Sequence, residues 1–367
     1  MKKNKAIALI LAVMLLLSGC GKAKTDTKKS DNATATPTVT TAPTEPAEPT
    51  VTEEPASTDI DPDGETETED FFEFNPHVYS AHLAESVPED YWNALYNLCD
   101  ALRVGETTFE CASEEAYKWC TDVSVMCNYF PAAGLQIEAK SEDGSAAFEN
   151  GIGKITYLMP VDDFVKRQAE FEDLIEEIIN TNLEADDTDY EKALKLYVYM
   201  AENYTYEYEV QEIDNYVYKT FTLKTGQCIN IAAVYSYLLL QVGVDAIAIG
   251  TYDGMAHAWS YVTINGKSYH IDPTWALLDP ENGKCFVYLD YFMMSDEERI
   301  ADGCGVDDLT VDILPGYWVN NGTVSYAATD NSYNLRDYTV YYTLNEETKT
   351  LYYVDVDGNT CEFHYDI

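Results

Sequence analysis

Cys228 opens an almost wholly apolar run that continues to Val242 and reads as a helix buried on all sides. The unpaired N–H groups of a helix's first turn, together with the helix dipole, favour negative charge. A thiolate at that position is stabilised and can serve as a nucleophile. A nucleophilic Cys needs a base, and the base needs a third group to orient it. Residues 257–264 and 267–272 read as two strands around Asn265-Gly266, the strongest short hairpin signal. A two-residue turn places Ile264 opposite Lys267 and His257 opposite Thr274, with Asp272 two residues back on the same face. Diagonal neighbours of this kind are about 7–8 Å apart, within side-chain reach. His257 and Asp272 are therefore expected to touch, leaving the other imidazole nitrogen for Cys228. A turn of odd length would carry Asp272 to the opposite face.

Three segments follow one another in order: Thr225-Gly226-Gln227-Cys228, Met255-Ala256-His257-Ala258-Trp259, and Tyr269-His270-Ile271-Asp272-Pro273-Thr274-Trp275. Together they resemble the motifs of the bacterial transglutaminase-like superfamily. The resemblance spans about residues 162–300, and Tyr291 to Glu297 is similar to a segment that often follows the third motif. It implies a papain-like fold and a triad of Cys228 as nucleophile, His257 as general base then acid, and Asp272 as orienter. Such a triad attacks a peptide or carboxamide carbonyl through an acyl-thioester. Water as acceptor gives a peptidase or amidase, slightly favoured because transfer needs a second pocket; a Lys amine gives a cross-linking enzyme. Where many members carry a Gly or Tyr cluster after the nucleophile, this chain has Ile229-Asn230-Ile231.

The backbone N–H of Cys228 is an expected oxyanion donor, with Gln227 beside it as a side-chain candidate and Trp259 and Trp275 as pocket candidates. Asn230 is a further candidate for orienting the site. His270 shares a face with Asp272 but lies opposite Tyr261, further from the strand end, and reads as structural. No cofactor is implied. A metal centre is a poor reading, because none of the nine cysteines forms a C-x-x-C pair and the five histidines are scattered. Asp355-Val356-Asp357-Gly358 is a hairpin turn rather than a calcium loop, since no Glu closes a twelve-residue loop. A rival of a different class is a non-catalytic surface module binding peptide or glycan, with stacking faces drawn from thirty tyrosines.

The elements that must hold these residues follow from periodicity. Asp90 to Arg103, Glu114 to Thr121, Asp162 to Asn182 and Asp189 to Asn203 show helical spacing. Val123 to Tyr129, Ile155 to Leu158 and Val244 to Gly250 read as strands, as do Thr323 to Ala328, Tyr338 to Leu344, Leu351 to Val356 and Thr360 to Tyr365. Thr225 and Gly226 stand where an N-cap for the buried helix would, and Gly243 closes it. The expected class is α+β: a papain-like, transglutaminase-like core with a central buried helix on an antiparallel sheet, plus an N-terminal α/β accessory region and a C-terminal β region.

Ahead of the globular part, Lys2, Lys3 and Lys5 precede an apolar run from Ala6 to Leu17, the layout of a secretory signal. That run is too short for a bilayer needing about 20 apolar residues. Leu17-Ser18-Gly19-Cys20 resembles the lipobox of bacterial lipoproteins, which implies acylation of Cys20 and anchoring on the extracytoplasmic face of the cell membrane. Residues 21–70 hold no aromatic residue and are rich in Thr, Pro and Glu, so they have nothing to bury. The expected divisions are a signal peptide at 1–19, a lipidated tether at 20–70, an accessory region at 71–160, a catalytic domain at 161–310 and a β-rich region at 311–367. With Cys20 acylated and Cys228 a nucleophile, seven thiols remain, and an odd number cannot all pair. The 367-residue chain has 22 Lys plus Arg against 65 Asp plus Glu, a formal net charge of −43. That sign excludes a nucleic-acid binder and favours a basic or Lys-bearing protein or peptide as partner. At 46% hydrophobic and 13% aromatic it is far too apolar to be disordered throughout.

Overall fold

Ser113 and Asp122 each begin a helix by accepting a backbone N–H with the side chain, from Ala116 at 3.1 Å and from Ser124 at 2.9 Å. The computed structural model describes residues 70–141, 143–208, 216–311, 324–333 and 335–365. Cys20, with the signal and tether, lies outside them. The chain enters through α1 (Glu89–Arg103), which buries Trp92, Leu95, Leu98, Cys99 and Leu102 at helical spacing. β1 (Thr108–Glu110), α2 (Glu114–Cys120) and α3 (Val123–Tyr129) follow. The expected strand at Val123–Tyr129 is thus a helix: Asp122 caps it, and Val125, Met126 and Tyr129 bury one helical face. β2 (Phe148–Glu149) and β3 (Ile152–Lys154) complete a three-stranded antiparallel sheet in the order β1-β3-β2. Of Ile155–Leu158 only Thr156–Tyr157 is a strand, paired with Ile137–Glu138.

α4 (Val161–Asn182) and α5 (Asp189–Asn203) are amphipathic, as their spacing predicts. α5 opens with a capping box in which Thr188 and Glu191 satisfy each other's backbone N–H groups. After α6 (Tyr216–Leu223) comes α7 (Cys228–Gln241), buried along nearly its whole length. It ends at Gly243, whose φ of +80° is the left-handed stop that glycine adopts readily. α7 packs across β4 (Asp245–Thr251) and β5 (His257–Ile264), pinned where Ser236 Oγ meets Ser260 Oγ at 2.9 Å. β6 (Lys267–Ile271) returns antiparallel to β5 through Asn265 and Gly266, both at positive φ. Ile264 faces Lys267 and His270 faces Tyr261, the register expected from a two-residue turn.

The next turns are α8 (Pro273–Ala276) and α9 (Asp296–Ala301), and β7 (Leu309–Thr310) pairs with β4 to give a sheet ordered β6-β5-β4-β7. Residues 324–328 form no strand; Ala328 exchanges backbone and side-chain bonds with Asp296 instead. Thr323 lies outside the described residues. β8 (Val340–Asn345), β9 (Thr350–Val354) and β10 (Thr360–His364) form the expected C-terminal meander. It is tied back by Glu191 of α5, which accepts from Lys349 Nζ and Tyr365 Oη, each at 2.7 Å. Apolar residues from Phe74 to Tyr365 belong to one continuous core. The molecule is α+β. No described helix is long and apolar enough to cross a membrane. No disulfide joins any of the eight described cysteines.

Candidate active site

Cys228 is the first residue of α7 and is buried. The N-cap is Gln227, not the expected Thr225 or Gly226, because those two are held in a short parallel ladder with Thr205–Tyr206. Asn230 Oδ1 accepts from the Gln227 backbone N–H at 3.4 Å, so Asn230 braces the turn that presents the thiol. Gly226 is required by packing: a Cβ there would stand 2.6 Å from Thr220 Oγ1 and 3.2 Å from Asn230 Cβ.

His257 begins β5, facing Thr251 across the ladder, and its Nε2 lies 2.7 Å from Asp272 Oδ2 with both side chains fully buried. The pair forms as expected but by a different exit. The β5–β6 ladder ends at Ile271, because Pro273 lacks the N–H to continue it and opens α8. Thr274 therefore never sits opposite His257; Asp272 becomes the N-cap of α8, its Oδ1 accepting from Trp275 N at 3.3 Å. Its backbone N–H donates to Tyr291 O at 2.9 Å. With Nε2 on the carboxylate, proton exchange with a thiol would fall to Nδ1.

A buried cation that sequence reasoning missed completes the arrangement. Arg299 Nη1 is 3.1 Å from Asp272 Oδ2, the same oxygen that His257 uses, and the guanidinium has no solvent exposure. Its Cζ lies 4.1 Å from the Trp275 ring centroid and 4.5 Å from that of Trp259. Nη2 reaches Cys304 Sγ at 3.1 Å. Burial by itself would raise the Asp272 carboxyl, but the charges of His257 and Arg299 and the bond from His257 outweigh it and hold the group below its ordinary value.

Trp275 stacks on His257 with centroids 4.7 Å apart and planes 13° from parallel, and its carbonyl accepts from Lys284 Nζ. It is partly exposed. Trp259 is not a wall open to solvent: it is fully buried, and its Nε1 donates to His270 Nδ1 at 2.9 Å. His270 Nε2 in turn bonds Asp296 Oδ1 at 2.9 Å, so both imidazole nitrogens are engaged in support. Burial also lowers the pKa of His270. Among the described residues no cluster of His, Cys, Asp and Glu has the geometry to hold a metal ion.

The thiol thus stands at a helix start and the carboxylate-bound imidazole at the open end of the hairpin that this helix packs against. Residues 177–280 match the transglutaminase-like superfamily. This transglutaminase-like region contains Cys228, His257 and Asp272 but stops short of Arg299. Among solved structures, the chain is similar to a candidate cysteine protease from Cytophaga hutchinsonii, with 16% identity and a TM-score of 0.25. The similarity covers 41% of this chain and 65% of that one, just under two thirds of its length. No curated protein matches the chain.

Proposed function

We propose that this protein is a cysteine-dependent acyl-transfer enzyme of the transglutaminase-like type, acting on peptide or carboxamide bonds. The observation that carries the reading is the buried His257–Asp272 pair at 2.7 Å, on the hairpin packed against the helix that begins with Cys228. His257 Nδ1 takes the thiol proton as Cys228 Sγ attacks the carbonyl carbon, and the oxyanion is met by the N–H groups at the start of α7, with Gln227 beside them. The tetrahedral intermediate collapses to a thioester as His257 returns that proton to the departing amine. Water, deprotonated by His257, then attacks the thioester carbonyl and releases the acid and the Cys228 thiol; an amine in its place gives a new amide. Hydrolysis is the favoured outcome, since bulk water is abundant and amine transfer needs a second pocket. The enzyme works at the extracytoplasmic face of a bacterial membrane, anchored through lipid on Cys20, on a protein or peptide that is basic or Lys-bearing.

Incubation with a peptide library containing Gln and Lys, read by mass spectrometry, tests the chemistry. Ammonia release with joined peptides marks transamidation, Gln converted to Glu marks deamidation, and scission marks a peptidase. No product, or products unchanged in Cys228→Ala, overturns the enzymatic reading in favour of a binding module. For the anchor, a fatty-acid analogue should label the wild type and not Cys20→Ser.

A further inference from the structure

α9 and the turn after it lie beyond the matched region, yet they contact both Asp272 and the loop that leads into His257. Arg299 reaches Asp272 directly. The same residue holds Cys304 twice, through Nη2 to Sγ at 3.1 Å and through its carbonyl, which accepts from Cys304 N at 3.3 Å. The Gly303–Gly305 turn then clamps the loop that delivers His257. Met255 N donates to Gly303 O at 2.8 Å, Gly305 N donates to Asp253 O at 2.9 Å, and Gly254 bridges Cys304. A Cβ on Gly254, where φ is +77°, would meet Gly303 O at 2.3 Å, so the two backbones run in direct contact. Met294 Sδ, 3.8 Å from Nη1, and the two indoles close the remaining sides of the guanidinium.

Building on the triad reading, we propose that Arg299 is a positioning residue of this site, locking the Asp272 carboxylate and the His257 loop into one rigid unit. A guanidinium suits this role better than an ammonium. Its planar fork bonds carboxylate and sulfur in fixed directions while its faces stack on Trp259 and Trp275. Its charge compensates a carboxylate that would otherwise be buried beside a neutral imidazole. The groups facing Asp272 are His257 from β5, Arg299 from α9, Cys304 after it, Tyr197 from α5, Tyr291, and Lys284 beyond α8. Asp302 lies 3.9 Å from Arg299 Nη1 and is itself paired with Arg336. Removing the fixed cation in contact with Asp272 raises the pKa of the Asp272–His257 pair, so the acid limb of reactivity moves to higher pH.

The test is the rate of Cys228 alkylation by iodoacetamide in the full chain, followed by peptide mass spectrometry between about pH 4 and about pH 9. The variants are Arg299→Met, Arg299→Lys and His257→Ala. Arg299→Met should move the acid limb upward by about one unit. It should also slow the plateau rate by on the order of 10²-fold, because a displaced base is costly. Arg299→Lys keeps the charge but loses the fork, so its limb should stay while its rate falls about tenfold. A folded Arg299→Met with the wild-type limb and rate overturns the proposal; should that variant fail to fold, Arg299→Lys at the wild-type rate does so. If wild-type Cys228 reacts no faster than the other thiols and His257→Ala changes nothing, the triad reading itself fails and takes this one with it.

Discussion

At the residue scale, the carboxylate of Asp272 carries the most contacts and the sharpest expectations. Asp272→Asn removes the carboxylate charge that fixes His257 and pairs with the buried Arg299, so both rate and stability should fall. The loss in kcat/KM should be about 10³- to 10⁴-fold, as for an imidazole left in the wrong tautomer. The fold should lose about 3–5 kcal/mol in denaturant melts, the cost of breaking a buried ion pair. Cys228→Ala should abolish product formation without that loss of stability. The His257–Asp272 contact was legible because Asn265-Gly266 fixes the register, and register decides which face each residue takes. Arg299 was not, because no periodicity links position 299 to position 272. Position 299 falls inside the span similar to the family, but none of the motif segments contains it.

At the element scale, the thiol depends on a loop with no spare volume. Gly226→Ala would press a methyl group into Thr220 and Asn230, costing about 1–3 kcal/mol and displacing the first turn of α7. Alkylation of Cys228 should slow even in samples that remain folded by circular dichroism. The buried helix was legible from composition alone, since a segment apolar on every side has nowhere to lie but the interior. Val123–Tyr129 was misread because Val, Ser, Val, Met, Cys, Asn and Tyr mix β-branched residues with a weak helical spacing. The capping bond from Asp122 tips such a segment, and its strength depends on how the next residues pack. Thr274 was misplaced for a similar reason: Pro273 ends the ladder and begins a helix, and that helix makes Asp272 a cap as well as an orienter.

For the whole molecule, Glu191 is the tie that joins the C-terminal meander to α5. Burial would raise its carboxyl, but bonds from Lys349, Thr188 and Tyr365 overcome that and hold it at about 2. A group depressed in the folded state stabilises it above the unfolded value, and that contribution fades as pH falls toward the folded one. Thermal melts should therefore lose stability between about pH 5 and about pH 2, with Asp272 acting in the same direction. Glu191→Gln should start about 2 kcal/mol less stable at neutral pH and show a shallower acid decline. The charge of −43 belongs to the same scale. The proposed capture of basic peptides should weaken as salt rises, read as an increase in KM with little change in kcat, because the Debye length shrinks to about 8 Å at physiological ionic strength.

Arg299 also sets an order of events during synthesis. Cys228, His257 and Asp272 all leave the ribosome before position 299, yet the Gly303–Gly305 turn that holds the His257 loop follows it. A nascent chain can form the Asn265-Gly266 hairpin early, from local contacts alone. It cannot complete the clamp around Asp272 until α9 has emerged and docked. The protein thus carries its own delay, and a chain truncated before Arg299 would display the three motif residues without the frame that aligns them.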